Sequence, residues 1–317
     1  MKYVNALLNG SSYILGLVLK KPLIWGMPPA INFELTNLCN LRCPECPTGS
    51  GSMKRLRGFM DPDKFSLMIR ELKPNLLNAN LYFQGEPMLH PHFFSFLEEV
   101  KGINTTISTN GHYINKGNAG MIAGSDLKKI IISLDGISKN TYQRYRVNGD
   151  LNTVLDGIFI LSEAIIKSGS GLKIEIQVLK NKFNEHEIPE LLKVAKRAGA
   201  TLKIKSMQVY NICKADDWMP EDPDYSRYTR DGNTFRIKSS LPRRCARLWY
   251  NPVITWDLKV LPCCFDKDAE YVMGDLNNES FREIWHGRKL AEFRRMVLNG
   301  RENIPVCRNC TSGLRSK

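Results

Sequence analysis

Three cysteines, Cys39, Cys43 and Cys46, form a CxxxCxxC run in Thr36-Asn37-Leu38-Cys39-Asn40-Leu41-Arg42-Cys43-Pro44-Glu45-Cys46, directly after the apolar stretch Ile31 to Leu35. Three thiolates on one short loop can hold three irons of a [4Fe-4S] cube, and the fourth iron then stays open to a ligand that is not protein. A structural zinc ion would instead take four closed ligands, usually as two CxxC-like pairs. A second group, Cys245, Cys263, Cys264, Cys307 and Cys310, ends in a CxxC pair, and residues 256–264 read as a hairpin that delivers a thiolate. A zinc knuckle with four cysteine ligands also satisfies the spacing of this second group.

The elements that must position these thiols follow from periodicity. From Ile31 onward, short apolar strands alternate with longer helical periods, the pattern of successive βα units and a parallel sheet. Strands are expected near 31–36, 78–84, 104–109, 129–134, 173–179 and 202–208, with helices near 61–73, 91–101, 116–124, 152–168 and 187–198. Asp61-Pro62 and His90-Pro91 supply helix starts. Six strands make an α/β fold with a partial (β/α)6 TIM-like barrel. In such barrels chemistry gathers at the carboxyl ends of the strands, where the cysteine loop, Gly85-Glu86, Thr109-Asn110 and Ser133 to Asp135 all fall. The division expected is an N-terminal apolar helix over 1–30, the barrel over 31–213, a polar Pro-containing linker over 214–242 and a small cysteine-bearing domain over 243–317. Asn110-Gly111 and Asp135-Gly136, taken alone, are also ordinary turn pairs.

Several motifs in this order resemble the radical S-adenosylmethionine (radical SAM) enzymes, whose signature is CxxxCxxC after the first barrel strand. Gln84-Gly85-Glu86-Pro87 is similar to the family's GGEP motif, with Gln for the first Gly, and Ser108-Thr109-Asn110-Gly111 and Ser133-Leu134-Asp135-Gly136 stand at later strand ends. The C-terminal part resembles the SPASM extension of these enzymes in Gly274-Asp275-Leu276, Phe281-Arg282-Glu283-Ile284-Trp285 and Cys307-Arg308-Asn309-Cys310. One departure is Glu45, at a position before the third cysteine that is commonly aromatic in the family, so stacking on adenine would come from elsewhere.

The resemblance implies S-adenosylmethionine (SAM) chelated to the open iron, with Glu86 and the Gly85 to Pro87 backbone on its amino group. Ser133 and Arg146 match positions that bind its carboxylate, and Thr109, Asn110 or Asp135 would contact the ribose. It also implies an auxiliary [4Fe-4S] cluster on Cys245, Cys263, Cys307 and Cys310, with Cys264 as an alternative to its neighbour. The implied mechanism is reductive cleavage of SAM to a 5'-deoxyadenosyl radical, fed by a donor such as flavodoxin or ferredoxin, and hydrogen abstraction from a small-molecule or peptide substrate. A closed auxiliary cluster favours oxidation, dehydrogenation or cross-linking. An epimerase would instead need a thiol that returns a hydrogen atom, for which Cys213 and Cys264 are the spare candidates. A non-catalytic iron-sulfur or zinc binding module is the alternative of another class, and a radical methyl or sulfur transferase on RNA is a third.

Composition narrows the setting. A chain of 317 residues buries roughly three quarters of its unfolded surface, enough for a large domain and a small one without staples. Nine cysteines without a preceding cleavable signal read as metal ligands in a reducing, cytoplasmic compartment. The net charge of +13 comes from 45 basic and 32 acidic residues scattered along the chain. No run of interleaved aromatic and basic residues marks a nucleic-acid groove, and no nucleic-acid partner is expected. Leu7, Leu8, Tyr13, Ile14, Leu15, Leu17, Val18 and Leu19 make a helix-like apolar stretch before Lys20-Lys21-Pro22, too broken by Asn9 to Ser12 for the ~20 apolar residues of a bilayer span. It reads either as a helix closing the bottom of the barrel or, within residues 1–25, as a peripheral helix lying in a membrane interface.

Overall fold

The computed structural model describes residues 1–310; the tail 311–317 of the expected C-terminal domain lies outside the described residues. After a first helix α1 (Lys2–Leu19), strands and helices alternate: β1 (Ala30–Phe33), α2 (Pro62–Leu72), β2 (Asn78–Asn80), α3 (Phe93–Glu99), β3 (Asn104–Thr109), α4 (Ala119–Gly124) and β4 (Leu127–Ser133). They continue as α5 (Lys139–Tyr145), α6 (Leu151–Ser168), β5 (Lys173–Lys180), α7 (Ile188–Arg197) and β6 (Thr201–Ser206). A hairpin β7 (Tyr228–Asp231) and β8 (Thr234–Ile237) follows, then β9 (Val253–Ile254), β10 (Lys259–Leu261), β11 (Gly274–Asp275), α8 (Phe281–His286) and α9 (Arg288–Asn299). The six expected strands and five expected helices are all present. The fold is mixed α/β with a parallel sheet, consistent with a partial (β/α)6 barrel.

Local chemistry accounts for the helix starts. Asp61 Oδ1 accepts from the backbone N–H groups of Asp63 (2.9 Å) and Lys64 (3.0 Å), with Pro62 at the first helical position of α2. Ser138 and Asp150 cap α5 and α6 in the same way, and Ser280 with Glu283 forms a capping box on α8.

The chain divides into two compact units. One holds Met1–Leu38, Met53–Thr105 and, among the described residues, 239–310. Here β1 is parallel to β2, pairing Ala30 with Asn78 through Asn32 with Asn80, and parallel to β9 on its other side. Strands β9 and β10 form the hairpin expected around 256–264, and β11 pairs antiparallel with β10. The fully buried rings of Phe33, Phe65 and Phe96 pack edge to face beneath β1. At the end of β1, Glu34 is fully buried and receives Arg55 Nη1 at 2.8 Å and Nη2 at 2.6 Å, while Arg55 Nε donates to the Lys267 carbonyl at 2.8 Å. Burial pushes the Glu34 carboxyl up, and the Arg55 guanidinium pulls it back.

The other unit holds Cys39–Ser52 and Thr106–Lys238, with strand order β3-β4-β5-β6. Strand β4 runs parallel to β5 from Lys129 opposite Lys173 to Ser133 opposite Gln177, and β5 runs parallel to β6. The polar span 214–242 carries folded structure: β7 and β8 pair around Gly232-Asn233, and Tyr228, Val209 and Ala215 bury together. The Tyr228 hydroxyl donates to the Val209 carbonyl and accepts from its N–H, each at 3.1 Å.

Removing one partner of a buried pair strands the other charge, at roughly 3–5 kcal/mol. Arg55→Met is therefore expected to lower unfolding free energy by about that amount. The Arg55→Met/Glu34→Leu double variant recovers most of the loss in denaturant titrations.

Candidate functional site

The cysteine run forms a loop followed by a single helical turn, Pro47–Ser50, with Cys46 at its cap position. A Cβ on Gly49 would stand 2.5 Å from the Cys43 nitrogen, so only glycine lets this turn close over Cys43. Cys43 is buried, and Cys39 and Cys46 are half-buried. Burial pushes the Cys43 thiol up, while the Arg146 guanidinium, whose Nη1 reaches Cys43 Sγ at 3.7 Å, pulls it down. Leu41, Cys43, Tyr145 and Met207 make one apolar cluster, against which Cys39, Cys46, Leu179, Trp218 and Met219 pack.

Strand ends of the same unit surround this loop. Asn110, just past β3, donates from Nδ2 to Asn40 Oδ1 at 2.7 Å and toward Cys39 Sγ at 3.8 Å. Its Oδ1 accepts from the His112 backbone N–H (3.1 Å) and pairs with His112 Nδ1 (3.0 Å), and His112 Nε2 accepts from the Asp150 N–H at 2.9 Å. Those contacts define one neutral tautomer, and burial lowers the His112 pKa accordingly. Thr109 is buried, with Oγ1 accepting from Gly111 N–H at 3.0 Å. Ser133 is buried at the end of β4. Asp135 is buried with both oxygens engaged: Oδ1 accepts from Leu179 N–H at 2.6 Å and Oδ2 from Arg146 Nε and Nη2 at 2.7 Å each. The structure thus brings Arg146, Asp135 and Asn110 to the cysteine loop.

In the other unit, Gly85 adopts φ +75°, and a Cβ there would lie 2.5 Å from the Thr36 carbonyl oxygen and 2.6 Å from that of Leu38. The Glu86 N–H donates to the Leu38 carbonyl at 2.8 Å, which anchors the Gly-Glu-Pro segment to the residue immediately before Cys39. Glu86 is buried and Oε1 accepts from the Met88 N–H at 3.1 Å, capping the turn that Pro87 begins. Gln84 Oε1 is a buried acceptor with no partner beside this segment. A buried acceptor without a donor fits a ligand that brings one, as the amino group of SAM does.

The C-terminal cysteines also gather within one unit. Cys245, Cys263, Cys307 and Cys310, all buried, line a small recess together with Arg247, Phe265 and Arg301, and no carboxylate among the described residues lines it. The one-turn segment Arg247–Tyr250 brings Cys245, the β9–β10 hairpin brings Cys263, and the Cys310 N–H folds back on the Cys307 carbonyl at 3.1 Å. Burial pushes the Cys307 thiol up to about 11 against the pull of Arg301. Four thiols in an apolar recess with cationic neighbours fit a closed iron-sulfur cluster, whose thiolates must be held deprotonated. Cys264 turns aside and accepts from Arg247 Nη1 at 2.6 Å, and Cys213 is exposed on the turn Ile212–Asp217. Among the described residues no three Cys, His, Asp or Glu side chains approach one ion closely enough to share it. That describes single-ion sites; a cube spreads its thiolates over separate irons.

The model of the radical SAM superfamily matches residues 33–195, just over half of the chain, and that of the iron-sulfur cluster-binding domain SPASM matches residues 245–311. The chain belongs to the radical SAM superfamily. This radical SAM enzyme therefore uses SAM and a [4Fe-4S] cluster, and its SPASM domain adds auxiliary iron-sulfur binding. The chain is 24% identical over 309 residues to a GTP 3',8-cyclase of Aquifex aeolicus, covering 86% of this chain and 94% of the relative. It is 28% identical over 183 residues to the mycofactocin maturase MftC of Mycobacterium tuberculosis, covering 57% of this chain and 45% of that protein. Streptococcus suis SuiB bound to S-adenosylmethionine superposes with a TM-score of 0.67 at 14% identity, covering 96% of this chain and 76% of that one, a likeness of fold.

Asn40 and His112 were not singled out from sequence. Asn40 lies inside the cysteine run and His112 two residues after Asn110, so proximity to the motifs was the signal available. For Gly85, the crowding beneath its Cα predicts that Gly85→Ala abolishes 5'-deoxyadenosine release and lowers the melting temperature. Gly102→Ala, at φ +78° with nothing within 4 Å of the added Cβ, costs roughly 1–2 kcal/mol of stability from backbone strain alone and keeps full release.

Proposed function

We propose that this enzyme oxidises a small-molecule or short-peptide substrate after hydrogen abstraction, with the electron leaving through the C-terminal site. The observation that supports this reading is the recess of four buried cysteines flanked by Arg247 and Arg301 with no carboxylate in its lining. When bound, SAM on the open iron supplies the 5'-deoxyadenosyl radical, and an auxiliary cluster supplies an electron acceptor. The chain's own part is binding, orientation and charge. In this proposal Cys39, Cys43 and Cys46 hold the first cluster, and Arg146, locked by Asp135, lends positive charge beside Cys43. Glu86 and Gln84 accept from the SAM amino group, and Ser133, Thr109 and Asn110 line the remainder of the SAM site.

Cys245, Cys263, Cys307 and Cys310 hold the second cluster without an open position, which keeps substrate off its irons. Two cations and no carboxylate favour an added negative charge there, because net charge around a cluster sets its potential. A small redox protein would deliver the electron that starts each turnover.

The test is 5'-deoxyadenosine release by the anaerobically reconstituted, reduced enzyme, with iron counted on the same sample. About eight irons are expected, Cys43→Ala abolishes release, and Cys310→Ser loses about half the iron while release survives. Unchanged iron in Cys310→Ser would refute the ligand set. Once a substrate is in hand, a product two electrons more oxidised is expected. A product that instead gains deuterium from heavy water, lost in Cys264→Ala or Cys213→Ala, would establish epimerisation in its place.

A further inference from the structure

Helix α1 is mounted inside out. Its buried positions are Asn9, Ser12 and Gly16, each close to 0% exposed at the first two, whereas Val4, Leu7, Leu8, Ile14, Leu15 and Val18 face solvent, Leu7 at 70% and Val18 at 72%. They share one side of the helix and make an apolar stripe that is interrupted once, at exposed Ser11. The polar face is fixed in place. Asn9 Nδ2 donates to the Trp249 carbonyl, and Asn5 exchanges hydrogen bonds with the backbone of Met27, its Nδ2 to the carbonyl at 3.0 Å and its Oδ1 from the N–H at 2.8 Å. Ser12 Oγ donates to the Asn9 carbonyl at 2.8 Å, and the Tyr13 ring packs 5.1 Å from that of Trp249. A Cβ on Gly16 would lie 2.7 Å from the Lys21 carbonyl oxygen, so this face is fitted to its neighbours. The helix cannot roll to hide its apolar stripe without breaking these bonds.

Charge identifies what covers the stripe. Residues 1–33 contain no Asp or Glu. At the C-terminal end of α1, exposed Lys20 shares a recess with exposed Arg243 and Arg244, and exposed Lys21 follows it. Trp25, a residue type favoured at membrane-water interfaces, is 50% exposed. No helix among the described residues is long and apolar enough to cross a membrane. A second copy of this chain would bring the same cations and no counter-charge, whereas an anionic lipid surface offers both acyl chains and negative headgroups. We infer that α1 lies in the surface of an anionic membrane, its apolar stripe among the acyl chains and Lys20, Lys21, Arg243 and Arg244 on the headgroups. This inference is independent of the reaction proposed above.

The test is co-sedimentation of the full chain, iron clusters loaded, with phosphatidylcholine vesicles with and without phosphatidylglycerol. The wild type should pellet with the anionic vesicles and at least about tenfold more weakly with the neutral ones. Leu7→Glu/Val18→Glu should abolish pelleting on both. Lys20→Gln/Arg243→Gln/Arg244→Gln should reduce the anionic binding to near the neutral level. All variants should keep their iron and 5'-deoxyadenosine release, since the substituted side chains are on the surface. Wild-type protein that stays in the supernatant with anionic vesicles overturns the inference. So does a wild-type dimer in light scattering that becomes monomeric in Leu7→Glu/Val18→Glu, which would make the stripe a contact between copies.

Discussion

Arg146 has to sit beside a buried thiol, and much of its unit is arranged to permit it. A guanidinium buried alone would be costly, so Asp135 accepts from both its Nε and Nη2 at 2.7 Å and is itself oriented by the Leu179 N–H. These three contacts join the turn after β4, the end of α5 and the end of β5, and they fix where Cys43 lies. The Asn184 side chain adds a bond from Nδ2 to the Asp135 backbone carbonyl at 3.0 Å, which holds the main chain at this position. Asp135 is a charge anchor, and the residue after it has no room for a side chain. Gly136 fits because a Cβ there would stand 2.6 Å from the Tyr142 nitrogen in α5.

Strands and most helices were legible because the hydrophobic period changes from two to near 3.6 at each junction, and because Asp61-Pro62 is a strong helix start; the short helix α5 behind Ser138 was not among those expected. The cysteine spacing was legible because its chemistry is local. What sequence could not supply was pairing across long separations. Nothing near Asp135 announces that its oxygens belong to Arg146 and Leu179, and nothing near Glu34 announces Arg55. The span 214–242 is rich in polar residues and proline, and its hairpin depends on Tyr228 closing onto Val209, nineteen residues away. Helix α1 makes the point most sharply. Periodicity located an apolar stripe, but which face turns inward is decided by Trp249 and Met27, whose backbones the asparagines reach.

Glu45 shows how one departure from a family pattern is accommodated. The position is commonly aromatic in radical SAM enzymes, and here its carboxylate accepts from the Tyr210 N–H at 2.8 Å. Burial raises its pKa against that bond and a contact from Trp218. An aromatic ring does lie nearby: Trp218 packs against the cysteine-loop cluster, its ring 5.5 Å from that of Tyr145. Glu45 thereby ties the segment 207–218 to the cysteine loop.

The two cysteine sites differ in how arginine is used, and the difference bears on electron flow. At the first, Arg146 is matched by Asp135, so the pair adds little net charge beside the thiols. At the second, Arg247 and Arg301 face Cys245, Cys263, Cys307 and Cys310 with no carboxylate in the lining. Surroundings of higher positive charge stabilise the more negative redox state of a cluster, which is the physical basis of the electron-accepting role proposed above for the C-terminal site.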